Sequence, residues 1–589
     1  MRILIINPPH EAIGSRMPGE MLPPLGLLAI GGPLIDDGHD VTLLDADVDN
    51  LPFAEIVTRA AALKPDCLLI GHNGSTSAHP AVTQILARLR PLLPDAWIVY
   101  GGIFPTYHWK ECLDELPEVD VIVRGEGEET TRCLMRAIRD DTPFETISGI
   151  AFHRNGKPFA TPPAPMIQNL DDYRVGWELI DHARYSYYGG KRGVVIQFSR
   201  GCPHLCSYCG QRGFWTRWRH RSPQKLATEI GRLYREYGVT MISFADENPT
   251  TSKKAWRELL KAIIAEDVKL TMIATLRADD IVRDADILHL YRKAGFERFL
   301  IGMEHTDEAT LAKVKKGSTT KTDREAIRLL RKHGMLSLMS CVFGFNEERD
   351  RDYWRTFRQI LAYDPDQIIT LFVTPHRWTP FFRDEKDRPV IQLDQKRWDY
   401  KHQVLASRHM PAWRGFLWVK LIEVLVQTRP KALVRTYLHP DHASRAGMRW
   451  YARIGRRVWL HELWTFLTRD RRVANGPTLA EFWGAPQDAG QEALSLRKNI
   501  AREGVQRPPL PVSALNGERV TAEPCLRHEV RGGNTTTVRG GNTQSVAPGV
   551  IPAGAIVRSR IAQSRDPHGM ALEDAAGSRL SPRSTARPG

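Results

Sequence analysis

The chain has 589 residues, with 82 lysines and arginines against 68 aspartates and glutamates, for a formal net charge of +14. Its 42% apolar and 25% charged content is that of a folded globular protein and excludes a disordered or fibrous chain. No apolar run approaches the roughly 20 residues of a membrane span; the longest, Gly415 to Val426, is interrupted by Lys420 and Glu423 and reads as an amphipathic or core helix.

At this length two or three domains are expected. The start, Met1-Arg2-Ile3-Leu4-Ile5-Ile6-Asn7, lacks signal-peptide anatomy and reads as a first β-strand. Over residues 1–140, short apolar runs at Ile3–Asn7, Val41–Leu44, Cys67–Gly71, Trp97–Gly101 and Val121–Val123 alternate with helical patterns at Leu25–Asp37, Phe53–Leu63 and Ala78–Leu92. That rhythm predicts a parallel sheet covered on both faces, with ligands bound beyond the carboxyl ends of its strands. The loops there are Asn7-Pro8-Pro9, Gly71 to Ser77, Gly101 to Thr106 and Arg124-Gly125-Glu126-Gly127-Glu128. Their glycines allow close backbone approach, and their hydroxyls offer hydrogen bonds to a polar ligand.

Residues 141–192 read as a connector with a hairpin at Asn155-Gly156. A second βα rhythm fills 193–392, with strands at Val194–Phe198, Met241–Ala245, Thr271–Thr275, Phe299–Gly302, Ser337–Phe343 and Gln367–Val373. Helices fit between them, at Pro223–Tyr237, Lys253–Ala265, Ala285–Lys293 and Lys321–His333. Residues 393–484 are helical, basic and tryptophan-rich, and 485–589 carry no apolar period and are expected to be disordered. Basic clusters with aromatics, Arg449-Trp450-Tyr451 and Arg456-Arg457-Val458-Trp459, suit an anionic membrane surface or a carboxylated substrate. No nucleic-acid-binding module accompanies the charge, so nucleic acid is not an expected partner.

The chain has 8 cysteines, scattered as in a reducing cytosol, except for Cys202-x-x-x-Cys206-x-x-Cys209 directly after the first strand of the second rhythm. Three thiolates in one short loop hold three irons of a [4Fe-4S] cube and leave the fourth open to bind and reduce something. A zinc knot completed by His204 or His220 is the alternative, but zinc loops use paired C-x-x-C spacings more often.

This spacing resembles the radical S-adenosylmethionine (SAM) superfamily, whose open iron chelates SAM and whose fold is a partial (β/α)6 barrel. The resemblance implies that Cys202, Cys206 and Cys209 are the catalytic cluster ligands and that Tyr208 contacts the adenine. It places Asp246 or Glu247 at the SAM amino group, and Arg277 and Glu304 at its carboxylate and ribose. Gly344 falls where the backbone approaches the adenine; His305, His376 and Arg377 fall at strand ends near a substrate. The N-terminal set looks like the Rossmann-like (flavodoxin-like) cobalamin-binding domain of the B12-dependent class, which implies cofactor contacts at Ser75, Thr76, Gly101, Gly102, Gly125 and Glu126. Domains that ligate cobalt through histidine carry Asp-x-His-x-x-Gly; here Pro8-Pro9-His10-Glu11-Ala12-Ile13-Gly14 lacks the Asp. Cobalt without a protein ligand is therefore expected, with His10 a solvent or loop histidine.

Within that class the cluster segment and Lys396 to Leu405 resemble the anaerobic magnesium-protoporphyrin IX monomethyl ester cyclases, over about residues 1–470. The resemblance implies conversion of the 13-monomethyl ester to 3,8-divinyl protochlorophyllide, with water-derived oxygen in the new ring, in anaerobic bacteriochlorophyll biosynthesis. It implies a magnesium porphyrin substrate, an electron donor such as ferredoxin or flavodoxin, and a cytoplasmic protein with membrane contact left open. Trp378, Trp398, Trp413 and Trp418 are candidates to stack on the macrocycle, each against a core role. The alternatives are a cobalamin-dependent radical SAM C-methyltransferase and a non-catalytic cobalamin or cluster sensor.

Overall fold

In a computed structural model the described residues are 1–10, 19–72, 76–211, 213–215 and 217–486. The expected disorder of the tail, like Ser75 and Cys525, lies outside them.

Strands β1 (Arg2–Asn7), β2 (Asp40–Asp45), β3 (Cys67–Ile70), β4 (Trp97–Gly101), β5 (Val121–Val123), β6 (Ile150–Arg154) and β7 (Lys157–Ala160) form one sheet in the order β2-β1-β3-β4-β5-β6-β7. The first five are parallel, and the β6–β7 hairpin at Asn155-Gly156 adds an antiparallel edge. Its faces follow the strand period of two. Leu4, Ile6, Leu68 and Ile70 join one core, while Ile3, Ile5, Cys67 and Leu69 join the other. Helices α1 (Leu25–Asp36), α2 (Phe53–Ala62), α3 (His79–Leu89), α4 (Ile103–Tyr107), α5 (Trp109–Glu115) and α6 (Glu128–Asp140) connect the strands. The order reverses between β1 and β3, so a crevice opens where Asn7 and Gly71 end their strands.

The second sheet runs β16-β15-β14-β13-β12-β9-β8, from β8 (Ser186–Tyr187) and β9 (Lys191–Ile196) through β12 (Met241–Phe244), β13 (Thr271–Leu276), β14 (Phe296–Glu304), β15 (Leu336–Phe343) and β16 (Gln367–Phe372). Six strands are parallel and in chain order, and the outer two are not paired to each other, so the sheet is a curled half-barrel. Strand β9 ends two residues earlier than the sequence predicts. The Asp246 carboxylate accepts the Phe198 and Ser199 amides, drawing them into a short antiparallel ribbon, β10 (Ser199–Arg200) with β11 (Arg219–His220).

Helices α7 (Pro223–Tyr237), α8 (Lys253–Ala265), α9 (Ala278–Arg283), α10 (Leu288–Ala294), α11 (Glu308–Lys313), α12 (Thr320–Lys332) and α13 (Asp350–Tyr363) follow the barrel strands, and their apolar faces share one large core with the outer side of the sheet. Ser222 caps α7 and Ser252 caps α8, each hydroxyl accepting a first-turn amide, which fixes both starts where the sequence puts them. Beyond α14 (Pro380–Asp384) come α15 (Ala412–Thr428), α16 (Pro430–Leu438), α17 (His442–Thr468) and α18 (Leu479–Trp483). Helix α17 crosses the amino-terminal ends of the strands: Gln367 Nε2 donates to Gly447 O, and Trp450 and Ile454 pack on Met241 and Ile273. Among the described residues no helix is long and apolar enough to cross a membrane. Lys420, at the centre of α15, is buried between Glu423 and Glu462.

Candidate functional site

The cysteine loop leaves the half-barrel at the carboxyl end of β9 and returns along β11. Asp246, two residues past the end of β12, holds its base by accepting Phe198 N at 3.0 Å, Ser199 N at 2.5 Å and Ser199 Oγ at 2.6 Å. Gly201 follows at φ +92°, where a Cβ would lie 2.4 Å from Arg217 O, so only glycine fits this turn. Burial raises the Cys202 thiol and lifts Cys209 to about 11, and the three sulfurs lie within electrostatic range of one another. The His204 amide faces Cys202 Sγ and the Gln211 amide faces Cys209 Sγ, donors that favour a thiolate. The paired amides and the glycine turn present three thiols that can take the three irons of a cube.

Polar groups ring this loop. Glu247 Oε2 accepts the Gly201 amide at 3.2 Å, and burial beside the Asp246 charge lifts its carboxyl to about 8. Asp246, lifted by burial to about 6, has three donors on its two oxygens. Arg277 pairs with Asp279 at 2.9 Å and donates to Lys316 O at 2.9 Å, within electrostatic reach of Cys202 and Cys206. Glu304 ends β14 at φ +63°, pairs with Lys316 at 2.9 Å and hydrogen-bonds Tyr208. Burial, then the Glu304 charge, raises the Tyr208 hydroxyl well above its ordinary range. Sequence reasoning missed Lys316; its signal is Lys315-Lys316-Gly317, a cation before a glycine at positive φ.

Other rim residues have structural partners. His305 Nδ1 accepts the Asp307 amide, and its Nε2 lies 3.6 Å from Glu348, which also accepts the Gly344 amide. His376 meets the Tyr400 hydroxyl and stacks on Trp378; burial lowers it to about 4. Arg377 pairs with Glu111 of the first sheet's α5 at 2.5 Å. Trp378 donates to Gly210 O and stacks on Tyr107, Trp398 is core, Trp418 donates to Asp350, and Trp413 is exposed.

The first sheet's carboxyl edge is bare backbone. Gly102 sits at φ +113° beside His72 O, a Cβ on Gly71 would lie 3.3 Å from Gly101 O, and Gly125, at φ +81°, faces open space. Thr76 is buried in a 3-10 turn. At the crevice Asn7 donates to Asp45 at 2.7 Å, and its Oδ1 is buried without a partner. Bare backbone and an orphaned acceptor at the switch point fit a corrinoid with amide arms. Of the two readings of His10 the loop one holds: it lies in the loop after β1 with its side chain 3% exposed, its Nδ1 3.1 Å from Pro8 O and its amide donating to Asp47. The expectation for Glu126 needs correction. Glu126 does not face the crevice. Arg219 holds both its oxygens at 2.9 Å, and Arg200 and the Ile167 amide add two more bonds. Burial alone would raise this carboxyl, but those bonds and charges outweigh it and hold it below its ordinary value. Arg200 also pairs with Glu128 at 2.5 Å, so the Gly125-Glu126-Gly127-Glu128 run clamps the first sheet to the cysteine loop.

A flavodoxin-like sheet followed by a six-stranded half-barrel with three thiols at its rim defines the class: a radical SAM protein with a cobalamin-binding domain. The radical SAM superfamily matches residues 196–360, and the B12 binding domain matches 16–134. The cobalamin-dependent SAM radical enzyme OxsB, solved with aqua-cobalamin and SAM, shares the fold at TM-score 0.60 and 15% identity, covering 85% of this chain and 75% of that one. The radical SAM methyltransferase TsrM from Kitasatospora setae does so at 0.57 and 20%, covering 66% and 78%. An anaerobic magnesium-protoporphyrin IX monomethyl ester cyclase of Synechocystis is 62% identical over 498 residues, which is 85% of this chain and 100% of that protein. One from Cereibacter sphaeroides is 31% identical, covering 69% of this chain and 67% of its own. This chain belongs to the anaerobic magnesium-protoporphyrin IX monomethyl ester cyclase family.

Proposed function

We propose that this protein closes the fifth ring of magnesium-protoporphyrin IX 13-monomethyl ester, giving 3,8-divinyl protochlorophyllide with an oxygen drawn from water. The observation that carries this reading is 62% identity across the whole length of a cyclase, beside a three-cysteine loop ringed by polar side chains. Bound [4Fe-4S] cluster and SAM supply a carbon radical able to remove hydrogen from an unactivated C–H, and cobalamin supplies electron-transfer chemistry. A donor such as ferredoxin or flavodoxin provides the electrons.

In this reading Cys202, Cys206 and Cys209 hold the cluster. Tyr208 is braced by Glu304 for the adenine, and Glu304 with its Lys316 partner faces the ribose. Arg277 meets the SAM carboxylate. Glu247 rather than Asp246 meets the SAM amino group, because Asp246 is occupied by three donors while Glu247 accepts the Gly201 amide. Thr76, Gly101, Gly102 and Gly125 line the cobalamin crevice, and Ser75 belongs to the same loop. The chain divides into a cobalamin-binding domain over 1–140, a connector over 141–192, a radical SAM core over 193–392, a C-terminal helical region over 393–484 and a tail over 485–589. The protein works in the cytoplasm and touches a membrane through exposed Leu438, Trp464 and Leu467, near the exposed cations Arg453, Arg456 and Arg457.

The test uses anaerobically reconstituted protein with cobalamin, SAM, reductant and the magnesium porphyrin monoester. Protochlorophyllide with 5′-deoxyadenosine and no S-adenosylhomocysteine is the expected result. S-adenosylhomocysteine with a methylated product would overturn it in favour of methyl transfer. Cys206→Ala abolishes SAM cleavage and leaves cobalamin binding; persistent cleavage would reject the cluster assignment.

A further inference from the structure

A cavity of about 780 Å³ lies between the inner faces of β12–β16 and helices α15–α17. That volume is in the range of about 300–1,000 Å³ typical of sites enclosing a whole organic ligand. Its wall is mostly apolar, and it reaches Thr275 near the carboxyl end of β13, two residues before Arg277, which follows that strand. At about 3.3 Å per residue, its upper end therefore lies within about 7 Å of the cluster rim along that strand. Val424, Tyr437 and Leu460 both line the cavity and stand exposed, so it opens outward between the three helices.

Two polar groups on this wall lack the partners that buried polar groups normally have. Arg298 is 5% exposed and sits between the rings of Tyr188 and Trp450, each 5.0 Å from its guanidinium carbon. Its hydrogen bond to Gln367 Oε1 is long, at 3.5 Å, and no carboxylate lies within ion-pair distance among the described residues. The buried Gln427 Nε2 has no partner. Lys401, another cation of the wall, differs: it lies between Glu423 and Glu462, with Glu462 Oε1 at 3.6 Å. Leaving a guanidinium buried without an anion costs several kcal/mol in general, unless a ligand supplies the charge.

We propose that this cavity is the macrocycle chamber, entered between α15, α16 and α17, and that Arg298 receives the free carboxylate of the porphyrin monoester. This rests on the cyclase reading and adds the residue that recognises the acid. Trp450 and Trp459 of the two basic aromatic clusters line the chamber, whereas Trp378, Trp398, Trp413 and Trp418 do not.

The test is equilibrium binding to full-length reconstituted protein, read by tryptophan quenching and porphyrin absorbance. The probes are magnesium-protoporphyrin IX monomethyl ester and its dimethyl ester, which has no carboxylate. Arg298→Met should weaken monoester binding by about 10- to 100-fold, as loss of one charge-assisted contact implies. It should leave dimethyl ester binding nearly unchanged. Gly455→Leu, where a Cβ meets only Tyr451 at 3.9 Å, fills the chamber and should weaken both. Circular dichroism and cobalamin content check that each variant folds; if Arg298→Met does not, the wild-type preference for the monoester and Gly455→Leu still decide. Unchanged monoester binding in the folded variants, or no wild-type preference, overturns the chamber and leaves the cyclase reading standing. Wild-type protein that binds neither ester overturns both.

Discussion

Glu126→Ala separates a clamp from a cofactor contact. In the wild type this carboxylate takes Arg219 Nη1 and Nη2 at 2.9 Å each, Arg200 Nη1 at 3.1 Å and the Ile167 amide at 2.8 Å. Arg200 retains Glu128 and Gln197 without it, but Arg219 keeps only carbonyl partners and is left a buried cation. Breaking a buried pair in this way costs about 3–5 kcal/mol. Glu126→Leu with Arg219→Met, removing both charges together, should come back to within about 1 kcal/mol of wild type. Urea unfolding at pH 7 measures both. The carboxyl is held below its ordinary value, so its contribution is fully present above about pH 4.3 and fades as pH falls through its folded value. The gap between wild type and Glu126→Ala should therefore be flat from pH 8 to 5 and close below that. If Glu126→Ala matched wild-type stability while cobalamin affinity fell, the clamp would be refuted and the crevice role restored.

Gly201→Ala places a Cβ 2.4 Å from Arg217 O at φ +92°, a strain of about 1–3 kcal/mol. It should lower iron and sulfide content after reconstitution without changing cobalamin content; normal iron would contradict the turn's role. Lys316→Met strips Glu304 of its cation and should weaken SAM binding about tenfold or more by calorimetry. Unchanged affinity would remove Glu304 and Lys316 from the site. His79 is stacked on Phe104 and lowered by burial to about 4, so the folded state stays neutral while the unfolded chain protonates below about pH 6.5. Its share of the stability should fall from pH 6.5 toward 4 by up to about 1.4 kcal/mol per unit, and His79→Gln should make the pH slope in thermal melts shallower by that share, with His108, His204 and His376 still contributing theirs.

Much of this architecture is legible in local pattern. The alternating apolar runs place β1 to β5 and most barrel strand ends within a residue or two, while β9 and β14 begin three residues earlier than the runs suggest. Pro223–Tyr237 and Lys253–Ala265 are read to the residue, since serine caps mark their starts. The cysteine spacing carries its chemistry within eight residues. Harder to read is where a polar residue aims: Glu126 and Gly125 are neighbours in one loop, yet Gly125 has open space beside it and Glu126 is locked into Arg219.

The sequence by itself determined the class of chemistry and the order of the two sheets, and it singled out the three candidate cluster cysteines, because each depends on spacing within a few residues. Only the tertiary structure decided which carboxylates are occupied, since their partners stand far away in the chain: Arg219 is 93 residues from Glu126. It also decided that Lys316 braces Glu304, and that Arg298 is a buried cation without an acidic partner. Burial and pairing are set by the whole fold, and those two quantities separate a structural ion pair from a charge kept for a ligand.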